Sequence, residues 1–336
     1  MIALLYVGAF ALSMFLTRQL VIHARKLASI DIPNERSSHS TPTPRGGGIA
    51  FVLASILAFF TIAILTSQFG VELLGLSVAG GLVATVGHLD DRKRISGATV
   101  RLFAHSIAAT ILVVVIGLPD SISFFNQSIE AGLVTHLIIG IALVWLLNLF
   151  NFMDGTDGIA ASEAAFVALT GALLTIVMTS TSDNSAAGFA LAASVLGFLI
   201  YNWSPAKIFM GDVGSGFLGI TIGGLALLST QQNAELLWVW IILLGVFVTD
   251  ATITLLRRLA RKQKPHVAHR SHAYQHLALR FQSHSKVAVG MLAINVLWLL
   301  PIAYLVADGR VIGTTGVLIA YVPLVIAAVL LGSGKD

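Results

Sequence analysis

Apolar residues run along this chain in blocks of bilayer length rather than in one-sided stripes. Segments of about 18 to 22 predominantly apolar residues can cross the hydrocarbon core as helices whose backbone polar groups bond internally. About eleven such blocks are present. Their cores fall at 2–22, 46–67, 71–89, 100–117, 133–152, 158–180, 185–202, 213–230, 236–256, 286–307 and 311–332. The pattern predicts an all-α, polytopic integral membrane protein that forms one domain over residues 1–336. The first block carries its first cation, Arg18, only at its far end, so it reads as a span and not as a cleaved signal.

Charge gives the blocks a direction. All of the 20 Lys and Arg except Arg310 fall on the side of the 23–45, 90–99 and 257–286 loops. The positive-inside rule makes that side the cytoplasm and starts the chain outside. The opposite loops hold Glu72, Asp120, Glu130, Asp183, Glu235 and Asp308. A net charge of +4 is then a matter of topology and of attraction to anionic headgroups, and no nucleic-acid partner is expected. There is no cysteine, which excludes disulfides, thiolate metal sites and cysteine nucleophiles. Chemistry must use carboxylates, histidines, amides and cations.

These groups gather on the cationic side. Asp90 and Asp91 follow the third block in GHLDDR, and two adjacent carboxylates near a low-dielectric surface need a metal or neighbours such as Arg92, Lys93, Arg94 and Arg101. In NLFNFMDGTDG, Asn148, Asn151, Asp154 and Asp157 recur every third residue, two amides on one helical side and two carboxylates in the following turn. In FMGDVGSG the glycines permit close backbone approach, and the next helix is expected to offer free N–H groups and a positive dipole end to a diphosphate. Asp212 repels anions there and makes sense mainly as a metal ligand.

The longest inner loop carries His266, His269, His272, His276 and His284 among Arg and Lys. Their spacing invites zinc, but the surrounding cations and acidic clusters fit a phosphate-holding role better. The first inner loop ends in Arg45 and the triple glycine 46–48, where backbone N–H groups with Arg45 and His39 could hold a second anion. Asp250 is read as an ion-pair partner of Arg257, His105 and His136 as helix-packing residues, Gly219 and Gly223 as a close-packing pair, and Glu163 as a cavity residue without a catalytic role. Oxygen-only ligands favour Mg²⁺, with Mn²⁺ as substitute, over zinc.

The ordered set DIPNERSSH…GG, GHLDDR, NLFNFMDGTDG, FMGDVGSG and HRSHAYQ, across residues 31 to 280, resembles the polyprenyl-phosphate N-acetylhexosamine-1-phosphate transferase superfamily, glycosyltransferase family 4. The resemblance implies transfer of a sugar 1-phosphate from a UDP-N-acetylhexosamine to undecaprenyl phosphate in the bacterial inner membrane, releasing UMP. It implies that Asp90 and Asp91 stand near the attacking lipid phosphate, one of them a base, that Asp212 with Asp91 holds Mg²⁺, and that Phe209 stacks on uracil. It places Asn151, Asp154 and Asp157 on the nucleotide and metal face and His269, Arg270 and His272 at the diphosphate. Tyr274 and Gln275 stand where histidines are commoner, which bears on the finer diphosphate or sugar contacts. The DIPNERSSH and HRSHAYQ spellings look more like the branch that initiates O-antigen or other surface polysaccharides, and a homodimer is carried as a candidate assembly. Two other classes share part of the pattern. An intramembrane prenyltransferase would use Asn151 to Asp157 but leaves the Asp212 turn idle, and a secondary transporter should place ionisable groups near the midplane of repeated, broken helices.

Overall fold

The computed structural model describes residues 2–24, 29–31, 42–66, 70–92, 94, 97–125, 127–180, 185–263 and 269–335. Every apolar block becomes helix. In chain order these are α1 (Ile2–Ile22), α2 (Gly48–Leu65), α3 (Gly70–Asp91), α4 (Ala98–Ile116), α5 (Leu133–Met153), α6 (Ile159–Thr179), α7 (Ala186–Asn202), α8 (Asp212–Thr230), α9 (Leu236–Leu243), α10 (Gly245–Ala260), α11 (Ala273–Phe281), α12 (His284–Ile294), α13 (Leu300–Ala307) and α14 (Gly313–Leu330). Two short antiparallel ladders complete the described structure: β1 (Ser29–Asp31) with β2 (Thr43–Arg45), and β3 (Ser121–Phe124) with β4 (Gln127–Glu130). Nine of the described helical segments are long and apolar enough to span a membrane, ten if the bent pair α9–α10 counts as one. α7 is an apolar helix of 17 residues.

Two blocks are not straight spans. α9 and α10 meet at Leu244 with a bend of 69°. The block 286–307 passes through a π turn at Asn295–Leu299. Pro301 follows that turn; it has no N–H to return to the helix, which accounts for a local change of hydrogen-bond register.

α8 is the axis of the bundle, and its spanning window is wholly buried. It can be central because its sequence is rich in glycine. A Cβ on Gly219 would stand 2.7 Å from the Leu146 carbonyl oxygen, and one on Gly223 would meet Leu143, so α5 lies directly against α8 as the close-packing reading expected. Several hydroxyls inside the bundle are satisfied within their own helix. Thr170, Thr175 and Thr230 each donate to the carbonyl four residues back. The spans therefore pack on small and apolar surfaces, and the unusual polar groups collect where the helices end.

Candidate active site

One end of the bundle brings together the C-termini of α3, α5, α7 and α10 and the N-termini of α2, α8 and α11. At its centre the end of α3 touches the start of α8. Asp91, its side chain only 3% exposed, accepts the backbone N–H groups of Asp212 and Val213, both at 3.2 Å. Small residues make this approach possible: a Cβ on Gly87 would lie 2.5 Å from the Asp212 carbonyl oxygen, and Gly211 adopts φ +78° against the Asp91 carboxylate. Asp91 is thus the cap of α8. The N–H groups of Gly214 and Ser215 turn back to the Gly211 carbonyl. This corrects the expectation of a free helix terminus for a diphosphate, because α8 spends its first N–H groups on Asp91 and on its own turn.

Two guanidiniums bind the carboxylates together. Arg45 donates from Nε to Asp91 Oδ1 at 2.9 Å and from Nη2 to Asp212 Oδ1 at 2.6 Å. Arg101, on the first turn of α4, donates from Nη1 to Asp90 Oδ2 at 2.8 Å and to Asp212 Oδ2 at 3.2 Å. Burial alone would lower the Arg45 guanidinium, but Asp212 and Asp91, with Asp154 and Asp31 farther off, raise it above arginine's ordinary value. Arg45 is placed by backbone pairing: the Phe209 N–H donates to the Pro44 carbonyl at 2.8 Å, and Gly47 and Gly48 donate to the carbonyls of Phe209 and Met210, each at 2.9 Å. The N–H groups of Gly47 and Gly48 are therefore committed to carbonyls, against the second anion site expected there. His39 lies outside the described residues.

The turn after α5 forms the second wall. Asn151 donates to Ser215 Oγ at 3.2 Å and so ties α5 to the Asp212 turn. Burial, only partly offset by Arg45, pushes Asp154 well above the ordinary carboxylate range, with Asp212, Asp91 and Asp157 adding to the rise. Asp157 goes the other way. Burial would raise it, but a hydrogen bond and ion pair with His284 at 3.2 Å and the Ala206 N–H at 3.2 Å outweigh burial and hold it below that range. Asp157 fastens its turn to α12 and to the 203–207 segment, and His284 is its partner rather than part of a free cationic row. Asn202 supports the same corner, accepting from the Gly158 N–H at 3.2 Å and donating to the Ile208 carbonyl at 3.0 Å.

The third wall is the segment 269–275. His269 and His272 stack with ring centroids 5.1 Å apart, and His269 Nδ1 lies 2.9 Å from Ser271 Oγ. Asp250 sits beneath them. Its carboxylate accepts the N–H groups of Ala273 at 2.9 Å and Tyr274 at 3.1 Å and the Ser333 hydroxyl at 2.7 Å. This corrects the expected pairing with Arg257: a carboxylate buried in a helix near the site end is satisfied by the start of α11. Tyr274 donates its hydroxyl to the Phe152 carbonyl at 2.9 Å, and Gln275 accepts the His272 N–H at 3.3 Å, so both residues help to build the wall.

These walls enclose a cavity of about 620 Å³. Arg45, Arg101, Asp212, Asn151, His269 and His272 line its polar part, and Val83, Val86, Leu102 and Leu147 its apolar part. Asp90, Asp91, Asp154 and Asp157 border the cavity without lining it, as does half-buried Phe209 beside Arg45, and Arg270 is half-buried outside it. His105 lines the cavity one turn beyond Arg101, whereas the sequence suggested helix packing; an i, i+4 relation to a functional arginine was the available signal. His136 is at the other end of α5, with Nδ1 2.8 Å from the Gly132 carbonyl oxygen. Glu163 is buried in α6, where Asn295 Nδ2 donates to it at 2.5 Å, so it is a packing residue rather than a cavity one.

Among the described residues no three His, Asp or Glu side chains converge on one point in the manner of a closed metal site. Asp212 and Asp91 offer carboxylate oxygens, which in this structure accept from Arg45, Arg101 and backbone N–H groups, and one or two carboxylates completed by substrate phosphates are the usual holding of Mg²⁺. The residues present fit that group.

Residues 73–230 match the family model for glycosyl transferase family 4. A probable undecaprenyl-phosphate N-acetylglucosaminyl 1-phosphate transferase of Bacillus subtilis is 33% identical over 75% of this chain and 72% of its own length. A decaprenyl-phosphate N-acetylglucosaminephosphotransferase of Mycolicibacterium smegmatis is 28% identical over 100% of this chain and 90% of its own. A phospho-N-acetylmuramoyl-pentapeptide-transferase of Prochlorococcus marinus is 28% identical over 75% and 71%. With bilayer-spanning helices, a carboxylate cluster bound by arginines and these relatives in view, the chain belongs to glycosyl transferase family 4, among the polyprenyl-phosphate sugar-phosphate transferases.

Proposed function

We propose that this chain transfers an N-acetylhexosamine 1-phosphate from a UDP-sugar to undecaprenyl phosphate at the cytoplasmic face of a bacterial inner membrane, as the first step of an O-antigen or related surface polysaccharide. The observation that carries the reading is the cavity itself, whose head holds Arg45, Arg101 and Asp212 and whose adjoining wall is apolar. A lipid phosphate suits both parts: its prenyl chain along Val83, Val86, Leu102 and Leu147, its charge toward Arg101. The nucleotide sugar then occupies the side of Asn151, Asp154, Asp157 and Phe209, with its diphosphate toward His269, Arg270 and His272.

In the reaction an acceptor phosphate oxygen attacks the β-phosphorus of the donor in line, the bond to the bridging α–β oxygen breaks, and UMP leaves. Asp90, which Arg101 holds at 2.8 Å, takes the proton of a monoprotonated acceptor phosphate. Asp91 keeps the α8 terminus and Asp212 in register through the two N–H bonds and Arg45. Mg²⁺ or Mn²⁺, held by Asp212 with help from Asp91, would neutralise charge on the diphosphate. Arg45 and Arg101 bridge the carboxylates, offset their mutual repulsion and orient them, and His269 and His272 donate to phosphate oxygens.

The test is direct. Purified chain is incubated with Mg²⁺, undecaprenyl phosphate and, in separate reactions, UDP-N-acetylglucosamine, its C4 epimer and their 6-deoxy counterparts. UMP should appear with one sugar well above the others and vanish without acceptor lipid; no UMP with any of them, from folded protein, contradicts the proposal.

A further inference from the structure

The cavity-lining histidines belong to a segment whose anchors lie far away in sequence. After α14 the chain turns at Gly332 (φ +89°) and Gly334 (φ +75°), and the residues around those turns bind the 269–274 segment and the end of α10. Ser333, fully buried, donates its hydroxyl to Asp250 Oδ1 at 2.7 Å. The Gly334 N–H donates to the Ser271 carbonyl at 2.6 Å. Arg257 donates to the Ser333 carbonyl at 2.7 Å, and Arg261 to the Gly334 carbonyl at 2.9 Å. The turn is also tight, since a Cβ on Gly334 would stand 2.7 Å from the Arg257 Cβ.

The atoms bound are the ones that fix His272. The Ser271 carbonyl precedes it, the N–H groups of Ala273 and Tyr274 follow it, and all three run to Gly334 or to Asp250, whose Oδ1 also accepts from Ser333. His269 is carried along through its contact with Ser271 and its stacking on His272. A buried carboxylate accepting four donors, the fourth being Thr254 Oγ1 at 3.3 Å, is a rigid node, because each donor it lost would leave charge unsolvated.

We propose that residues 331–335 form a strap that positions the His269–His272 wall for the transfer reaction, with Asp250, Ser333 and Gly334 as positioning residues. The inference rests on the reading of His269 and His272 as donor-side groups. The strap touches neither the carboxylate cluster nor the apolar wall, so its loss should lower turnover while leaving lipid binding intact. That split separates it from a role in stability alone.

The experiment uses the full chain in detergent with Ser333→Ala, which deletes one hydroxyl, and Gly334→Ala, which has no room for its Cβ. Amide exchange is followed over 269–276, and kcat and KM are measured for both substrates. In Ser333→Ala exchange should quicken about tenfold and kcat fall by a similar factor, the effect of one hydrogen bond to a charged group. KM for undecaprenyl phosphate should hold. Gly334→Ala should do the same more strongly. Unchanged exchange in both variants, or faster exchange with wild-type kcat, overturns the strap. His272→Ala, which leaves the strap bonds in place, isolates the functional reading: wild-type turnover in that variant removes the donor-side role and with it the positioning role, whereas lost turnover leaves the strap to be judged on its own two variants.

Discussion

The two ends of the helical bundle are built from different material. At the cavity end, charge is joined over long stretches of chain: Arg45 reaches Asp212 across 167 residues and Arg101 reaches it across 111. At the opposite end the described ion pair is Arg310 with Asp308, two residues away and largely exposed. Aromatic and main-chain contacts do the joining there. Trp238 donates to the Ser123 carbonyl at 3.0 Å, the Phe125 N–H to Thr314 at 3.2 Å, and Phe124 packs on Trp238 while Phe124, Phe125 and Ile129 remain exposed. Cations confined to one side of a membrane protein are explained by topology alone. Two cations recruited from distant segments onto three carboxylates are not, since side chains are ordered at an entropic cost that a topological role does not require. The comparison separates charge that orients a membrane protein from charge that has a task.

The largest effect should come from the centre of the cavity end. Asp212→Asn keeps shape and removes charge, and turnover should fall by about 10²–10³-fold with normal insertion; near-normal turnover at saturating Mg²⁺ would remove Asp212 from the reaction. Arg101→Ala leaves Asp90 and Asp212 without their shared donor, and a drop of about 10-fold to 100-fold in kcat/KM is expected, larger than for any substitution of Arg310. A smaller effect concerns pH. The Asp157 carboxyl is held below its ordinary value in the folded chain, so its contribution to stability is fully present above the ordinary carboxylate pKa and is lost as pH falls through the lowered one. Melting temperature followed downward from pH 6 should therefore drop more steeply for the parent than for Asp157→Asn; parallel curves would show that His284 and Ala206 do not stabilise the ionised form. At the bottom of the scale, Arg310→Ala should change stability by less than about 0.5 kcal/mol and leave turnover alone.

Sidedness can be read with single cysteines, since the chain has none of its own. Lys262 and Asp308 are both exposed, one near each end. An impermeant thiol reagent on intact cells should label cysteine at 308 and spare cysteine at 262. The reverse pattern would place the cavity on the outer face and detach it from a cytoplasmic nucleotide sugar.

Much of this was legible in the sequence. Spans are set by bilayer thickness, a rule that acts residue by residue, and each apolar block became helix within a few residues of its expected core. The bend at Leu244 was not legible, because the block 236–256 reads as one apolar span in which a single glycine, Gly245, does not by itself mark a break. The site was half legible. Asp90, Asp91, Asn151 and Asp212 announce themselves as polar groups in costly places, and the structure gathers them at one end of the bundle. What they bind was hidden, since the N–H groups of α8 look free until Asp91 arrives from 121 residues away. Asp250 shows the same thing: Arg257 is the near neighbour in sequence, and Ser333 is the partner in space. Membership of the transferase family also decides against the prenyltransferase and transporter alternatives, which rested on the Asn151–Asp157 run and on the number of spans.

The most direct measurement follows the phosphorus. A UDP-N-acetylhexosamine labelled with ³²P at the β-phosphate is given to the purified chain with undecaprenyl phosphate and Mg²⁺. Label should pass into the lipid fraction in step with UMP release, and Asp212→Asn should slow both by about 10²–10³-fold. Label retained in released UDP would mean that sugar moves without its phosphate, which would contradict transfer of a sugar 1-phosphate.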